Sequence, residues 1–542
     1  MNPSPILSVE GLTVDFLSDA APLRAVDNVS FAVAPGETLC ILGESGSGKS
    51  VSSSTILDIL DCPPAEIVAG RIVFEGRDMG TLGPAERRDI NGRRIAMIFQ
   101  DPLAHLNPVY TVGWQICEVF ETHGVCRGEE ARRRAVELLG HVGIAEPASR
   151  MDQYPHEFSG GQRQRIMIAM AIALKPSLLI ADEPTTALDV SVQAQILDLL
   201  RDLQREFGMA LILITHDLEV AASMADRIVV MKAGKIVEQG PAREVFTAPQ
   251  HDYTRKLMSA LPAEPAAGAD RRSKSERGET LLVVKGLTKT YELPKSMFGK
   301  ARSLLAVEDV SFSVSQGETL GIVGESGSGK STVARMLLRL NEPTAGQAFY
   351  RGQDIFALDP SEMLALRRKV QMVFQDPYGS MNPRMDVFTI ISEPWLIHKD
   401  ILPKAQWRAR VAELLELVGL QPDCMGRHIH QFSGGQRQRI AIARALASDP
   451  ELLVCDEAVS ALDVSIQAQV IDLLADLRNR LGLSYIFITH DLPIVRHFAD
   501  RIIVMRNGRI VESAPTESLF GSPKAEYTRM LLAAVPQPKW SR

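Results

Sequence analysis

The eight letters GESGSGKS stand at residues 43–50 and again at 324–331. They are part of a longer correspondence. VDNVSFAVAPGETLCILGESGSGKS (26–50) answers to VEDVSFSVSQGETLGIVGESGSGKS (307–331). Downstream, IFQDPLAHLNP (98–108) answers to VFQDPYGSMNP (373–383), and EFSGGQRQRI (157–166) to QFSGGQRQRI (431–440). ALDVSVQAQILDLL (187–200) answers to ALDVSIQAQVIDLL (461–474), and ITHDL occurs at 214–218 and 488–492. The offset is 281 at the Gly-rich string, 275 at FQDP and 274 from SGGQ onward, so short insertions separate two otherwise collinear copies. A repeat of roughly 250 residues is a duplicated domain rather than a solenoid unit.

The copies meet at 262–280, PAEPAAGADRRSKSERGET, which is rich in Ala, Pro, Gly and charge and nearly free of large apolar residues. It reads as a linker. The expected domains are 6–261 and 281–536. The 542 residues carry 59 basic and 66 acidic side chains, a formal net charge of −7, which gives no support for the basic stripe of a nucleic-acid binder. No apolar run approaches the ~18 residues a membrane-spanning helix needs. The N-terminus MNPSPILSVE lacks a basic region followed by an apolar core, so no secretory signal is read and a cytoplasmic protein is expected. Six cysteines, none in a CxxC pair, give no disulfide framework and no metal-ligand spacing.

Each Gly-rich string follows an apolar run, ETLCIL or ETLGIV, and precedes a helical segment, SVSSSTILDIL or STVARMLLRL. Strand, glycine turn and helix are the context in which G-x-x-x-x-G-K-[ST] binds phosphate. In the first copy Gly43, Glu44, Ser45, Gly46, Ser47 and Gly48 present backbone N–H groups to phosphate oxygens, and the helix N-terminus adds its positive end. Gly324, Glu325, Ser326, Gly327, Ser328 and Gly329 do so in the second. Lys49 and Lys330 are expected to reach the β- and γ-phosphates, and Ser50 and Ser331 to hold Mg²⁺. For one such string a Gly-rich turn without a ligand is the alternative. Two strings in the same context weigh against it.

SLLIADE (177–183) and ELLVCDE (451–457) read as buried strands ending in a carboxylate pair. Asp182 and Asp456 are candidates for the Mg²⁺ shell, and Glu183 and Glu457 for polarising a water against the γ-phosphate. A strand capped by solvated acids is the alternative for either pair alone. His216 and His490 follow LILIT and YIFIT, and Gln100 and Gln375 follow IAMIF and VQMVF. Taken singly, these four say little.

Phosphate loop, Gln, SGGQ, Asp-Glu, ALD and His, in that order and twice over, resemble the ATP-binding domain of ABC transporters. SGGQRQR is the most specific element. The resemblance implies an α/β fold: two tandem phosphate-loop ATPase domains, each a RecA-like core with an antiparallel β subdomain and a helical subdomain. It implies ATP and Mg²⁺ as cofactors. In that family the domains work as head-to-tail pairs, the loop of one facing the SGGQ turn of the other across ATP. Ser159, Gly160, Gly161 and Gln162 would then complete the site built on Lys330, and Ser433, Gly434, Gly435 and Gln436 the site built on Lys49. The same resemblance makes Gln100 and Gln375 contacts of Mg²⁺ and the nucleophilic water, and His216 and His490 the γ-phosphate switch histidines. It puts Asp189 and Asp463 at the pair interface. Phe16 and Tyr291 stand where an aromatic residue stacks on adenine, with a core aromatic as the alternative. The second copy reads DEAVSALD where the first reads DEPTTALD, so Ala458 replaces a proline and unequal sites are foreseen.

FQDPLAHLNP, FQDPYGSMNP and the tails PQHDYTRKLMSALP (249–262) and SPKAEYTRMLLAAVP (522–536) resemble the dipeptide, oligopeptide and nickel importers, in the fused form that serves glutathione or microcin-like peptide uptake. Some relatives carry a cysteine cluster in this extension; neither tail here contains Cys, and no iron–sulfur centre is expected. The resemblance implies an ATP-hydrolysing subunit at the cytoplasmic face of the inner membrane. Two permease subunits and an extracytoplasmic solute-binding protein would be supplied by other chains. Segments 101–120 and 376–396 would receive the permeases. A soluble twin-ABC factor acting on ribosomes and an exporter motor are the alternatives.

Overall fold

The computed structural model describes residues 4–17, 21–186, 188–259, 278–292, 303–460 and 462–541. Most of the expected linker lies outside them; strand Thr280–Glu292 starts at its last residue. The chain divides into two units, residues 1–261 with 534–542, and residues 262–533.

Each unit is built on one six-stranded sheet. In the first the order is Lys235–Pro241, Arg227–Lys232, Thr38–Leu42, Ala210–Thr215, Leu178–Asp182, Ile95–Ile98, all parallel except the Lys235–Pro241 edge. The second has the same order: Arg509–Pro515, Arg501–Arg506, Thr319–Val323, Ser484–Ile488, Leu452–Asp456, Val370–Val373. The inner strands are continuous apolar runs in sequence because both faces are covered. Alternation along the strand sorts their side chains between two cores. Leu452, Val454, Ile486 and Ile488 enter the core shared with the antiparallel sheet. Leu453, Cys455, Tyr485 and Phe487 enter the core shared with the helices.

The antiparallel subdomain has four strands in each unit. In the first they run Leu23–Val33, Leu7–Phe16, Ala65–Phe74, Arg77–Asp78. The helical subdomain holds Val112–Thr122, Gly128–His141 and Gly160–Ile172, matched by Val387–Ile397, Trp407–Leu417 and Gly434–Leu446. Trp395 is its largest fully buried side chain; its indole Nε1 donates to the Ala447 carbonyl at 2.8 Å, and its ring lies 5.7 Å from that of Trp407.

The tail segments form short helices, Asp252–Ser259 and Glu526–Ala533. In the first unit Lys539 pairs with Asp226 at 2.8 Å, and the Trp540 ring lies 5.4 Å from Phe246. Among the described residues no helix is long and apolar enough to cross a membrane. Cys62 is exposed, Cys117 and Cys126 are half-buried, and Cys40, Cys424 and Cys455 are buried. Burial pushes the Cys455 thiol up to about 12 and that of Cys40 further still.

Removing a buried tryptophan of this kind costs about 3–5 kcal/mol. Trp395→Ala is expected to destabilise the second unit by that amount, read as an earlier unfolding transition of that unit in urea, with the first unit's transition unmoved.

Candidate functional site

The site is assembled at the carboxyl ends of the parallel strands, where open α/β sheets leave their crevice. Strand Thr38–Leu42 delivers the loop 43–48, and the eight-residue helix Lys49–Ile56 follows with Gly48 in left-handed conformation as its N-cap, φ 97°. A Cβ on Gly43 would meet the Met231 carbonyl oxygen at 2.4 Å, and one on Gly48 would meet that of Ala25 at 2.5 Å. These glycines are required by the close approach of neighbouring backbone. The loop closes on its own lysine: Lys49 Nζ donates to the carbonyls of Gly43 at 2.7 Å and Glu44 at 2.9 Å. Lys330 repeats this with Gly324 and Glu325 at 2.7 and 2.9 Å. Both lysines are buried, and both loops are tied to the neighbouring strand turn by Gly234 N–H to Ser47 O and Gly508 N–H to Ser328 O, each 3.1 Å.

Asp182 ends its strand opposite Ile214, and Asp456 opposite Ile488. Both are buried, which pushes their carboxyls above the usual range. Ser331 Oγ donates to Asp456 Oδ1 at 2.8 Å. Asp182 Oδ1 is a buried oxygen with no hydrogen-bond partner. A hydroxyl against a carboxylate, and a buried carboxylate oxygen left over, fit a hard divalent cation.

The next residue in each unit breaks from the strand. Glu183 and Glu457 take left-handed backbones, φ 47° and 48°, uncommon for glutamate. Their N–H groups still donate to Ile214 O and Ile488 O at 2.9 Å, so the ladder holds the turn in place. The turn aims each carboxylate at the Gln and the His. Glu183 accepts from Gln100 Nε2 at 2.8 Å and lies 3.1 Å from His216 Nδ1. Glu457 accepts from Gln375 Nε2 at 2.7 Å and lies 3.6 Å from His490 Nδ1. Burial raises the Glu183 carboxyl, but the His216 and Thr186 hydrogen bonds and the Lys49 charge outweigh it and leave the group below the usual range. For Glu457 the facing His490 is the largest influence, and the result is again a lowered carboxyl. Both are ionised at neutral pH. The four residues that said little singly are thus brought, two in each unit, against the glutamate of that unit.

Ser159 and Ser433 cap their helices. Ser159 Oγ accepts from the Gln162 N–H at 3.3 Å and Gln162 Oε1 from the Ser159 N–H at 3.0 Å; the second unit repeats this at 3.4 and 3.1 Å. Ser159, Gly160, Ser433 and Gly434 are exposed. Gly161 and Gly435 face Val192 and Ile466, where an added Cβ would lie 2.5 and 2.3 Å from a methyl. Phe16 is half-buried against the core of its unit and pairs with Leu23, on the strand whose Ala25 carbonyl approaches Gly48. Tyr291 sits alike beside Leu304, and its hydroxyl accepts from Asn341 at 2.9 Å. Asp189 and Asp463 head helices Val190–Phe207 and Val464–Leu481.

The family model for ABC transporters matches residues 26–186 and 307–460, which hold the phosphate loop, the glutamine, the SGGQ turn and the acid pair of each unit. The chain belongs to the ABC transporter ATP-binding family. Each of its ABC domains is followed by a match to the oligopeptide/dipeptide transporter C-terminal region, at 237–285 and 511–542. This ABC ATPase is 48% identical to the peptidoglycan transport ATP-binding protein YejF of Agrobacterium fabrum, over 98% of the chain and 97% of the relative. It is 45% identical to the glutathione import ATP-binding protein GsiA of Shigella boydii and of Escherichia coli, over 99% of the chain and 90% of each relative.

Sequence reasoning missed Thr186. Its hydroxyl donates to Glu183 Oε2 at 2.9 Å, whereas the matching Ser460 turns to the Glu457 backbone carbonyl at 3.0 Å. The TTALD/VSALD difference was the only signal. A hydrogen bond to a charged group contributes on the order of 1.5–3 kcal/mol when buried and less where exposed. Thr186→Ala is expected to slow ATP turnover roughly three- to tenfold, and Ser460→Ala less than twofold, in steady-state ATPase assays at saturating ATP.

Proposed function

We propose that this ABC ATPase is the energy-coupling subunit of an importer for peptides or related small solutes. It would work at the cytoplasmic face of the cell membrane with two separate permease subunits and an extracytoplasmic solute-binding protein. One observation carries the reading: both ABC domains are followed by the oligopeptide/dipeptide transporter region. The named roles of the relatives, glutathione import and peptidoglycan transport, point the same way.

In this reading the loops 43–50 and 324–331 hold the triphosphate, with Lys49 and Lys330 exchanging their loop carbonyls for phosphate oxygens. Ser50, Gln100 and Asp182, and Ser331, Gln375 and Asp456, hold Mg²⁺, which when bound offsets phosphate charge. Glu183 and Glu457, ionised and held by Gln and His, orient a water and draw its proton. His216 and His490 sense the γ-phosphate. Phe16 and Tyr291 stack on adenine. The exposed turns at Ser159 and Ser433 offer N–H groups and a helix positive end to a triphosphate carried by the loop of the other half. Closure on ATP and reopening after hydrolysis are passed to the permeases.

The segment after Gln100 supports docking to a membrane partner. Leu103, Val109, Tyr110 and Trp114 are exposed by 42–71%, and Tyr110 stacks on Trp114 at 4.0 Å. The second unit exposes Tyr378 and Leu396 in the matching stretch 376–396. Isolated exposed apolar side chains are ordinary, but a run of them marks an interaction surface.

Glu183→Gln and Glu457→Gln, made singly, are expected to keep ATP binding and to lose about 10²–10⁴-fold of turnover at the altered site. Equilibrium binding of ATP and single-turnover hydrolysis check this. After cell fractionation the chain is expected with membranes carrying the permeases; a ribosomal pellet would reverse the reading. Val109→Glu with Trp114→Glu is expected to release it from those membranes while leaving its ATPase activity in detergent-free solution intact.

A further inference from the structure

The tail helix of the second unit touches the phosphate loop. The Glu325 N–H donates to the Tyr527 hydroxyl at 3.4 Å. Tyr527 is 6% exposed, and the Arg506 guanidinium lies 4.6 Å over its ring. Arg506 ends the strand Arg501–Arg506, whose Met505 carbonyl backs against Gly324, the first residue of the loop. The helix carrying Tyr527 is itself fixed: Glu512 accepts the N–H groups of Lys524 at 2.8 Å and Ala525 at 3.0 Å, and Thr528 on the same helix is buried.

The first unit repeats the seating. Lys232 Nζ lies 4.6 Å over the Tyr253 ring, and Glu238 accepts from the N–H groups of Gln250 and His251 at 2.8 and 3.0 Å. Thr254, like Thr528, is buried. The cation changes from Lys to Arg, yet the tyrosine, the threonine and the glutamate keep their places. A tail packed only for stability needs apolar contacts; a buried phenol on a loop amide, roofed by a cation, fixes a position.

We infer that Tyr527 is a positioning residue for ATP: through its hydroxyl the tail helix holds the Gly324–Glu325 end of the phosphate loop in the shape that receives phosphate. This rests on the reading of 324–331 as an ATP-binding loop. The loop is braced at three points. Lys330 ties it from inside, Gly508 ties Ser328 from the strand turn, and Tyr527 ties Glu325 from the tail. Burial pushes the Tyr527 hydroxyl up to about 12, so it stays a neutral phenol across the physiological range. Loss of the third brace lets the first peptides of the loop relax, and restoring them is then charged to ATP binding rather than to the chemical step.

The test uses the full chain in a Lys49→Ala background, which leaves the second loop to bind ATP. Tyr527→Phe keeps the ring and the cation above it and removes only the hydroxyl. The expected result is a three- to tenfold rise in KM for ATP with kcat changed less than twofold. The ATP dissociation constant by equilibrium dialysis, in Lys49→Ala with Glu457→Gln, should rise by the same factor. Glu512→Gln, which loosens the helix from its strand, should produce the same split. If Tyr527→Phe fails to fold, the Glu512 variant decides. An unchanged dissociation constant in the folded variant, or a rise matched by a fall in the thermal midpoint of the second unit, overturns the inference. Absence of ATP binding by the Lys49→Ala parent would instead overturn the reading of the loop.

Discussion

The parallel pairing of three buried strands is the constraint on which both sites depend. Leu42 lies opposite Thr215, and Asp182 opposite Ile214, so the loop, the acid pair and the histidine leave the sheet side by side. A slip of one residue would turn Asp182 away from the crevice and put Ala181 in its place, because successive side chains alternate between faces. Burial on both faces makes such a slip costly. Leu178, Leu179, Ile180 and Ala181 are each fully buried, with Leu178 and Ile180 in the core shared with the antiparallel sheet. The apolar core therefore sets the register that the chemistry uses.

The left-handed glutamates follow from the same frame. Backbone strain of this kind persists only where surrounding structure over-determines it. Here the ladder bond to Ile214 or Ile488 holds the N–H, and the Gln and His hold the carboxylate. The two units differ just beyond this point. Pro184 and Thr186 give way to Ala458 and Ser460, and the hydroxyl that grips the Glu183 carboxylate grips only backbone at Glu457. Gln193 bonds to Asp217, whereas Gln467 bonds to the Val459 carbonyl. The duplicated frame is thus kept while the fine restraint of each general-base candidate is not.

Much of this was legible in the sequence because it is local. A glycine string between a strand and a helix, or an acid pair ending an apolar run, carries its context with it. The duplication then supplied a second instance of each. The glutamine and histidine acquired meaning only through order along the chain, and the sheet explains why: they come from strands flanking the acid pair. What stayed hidden depends on side-chain direction across long separations. Nothing in TTALD says that Thr186 turns inward where Ser460 does not. Nothing in AEYTR says that Tyr527 reaches a loop some 200 residues earlier. The Gln162 and Gln436 side chains, read as nucleotide contacts, are engaged here in closing their own helix starts, a role written in the S-x-x-Q spacing.

The cysteines carry a practical consequence. The accessible thiols, at 62, 117 and 126, all fall in the first unit, while the second keeps both of its own inside the core. A sulfhydryl-directed fluorophore applied to the native protein therefore marks one half and spares its twin, giving an otherwise near-symmetric motor a built-in label that tells its two engines apart.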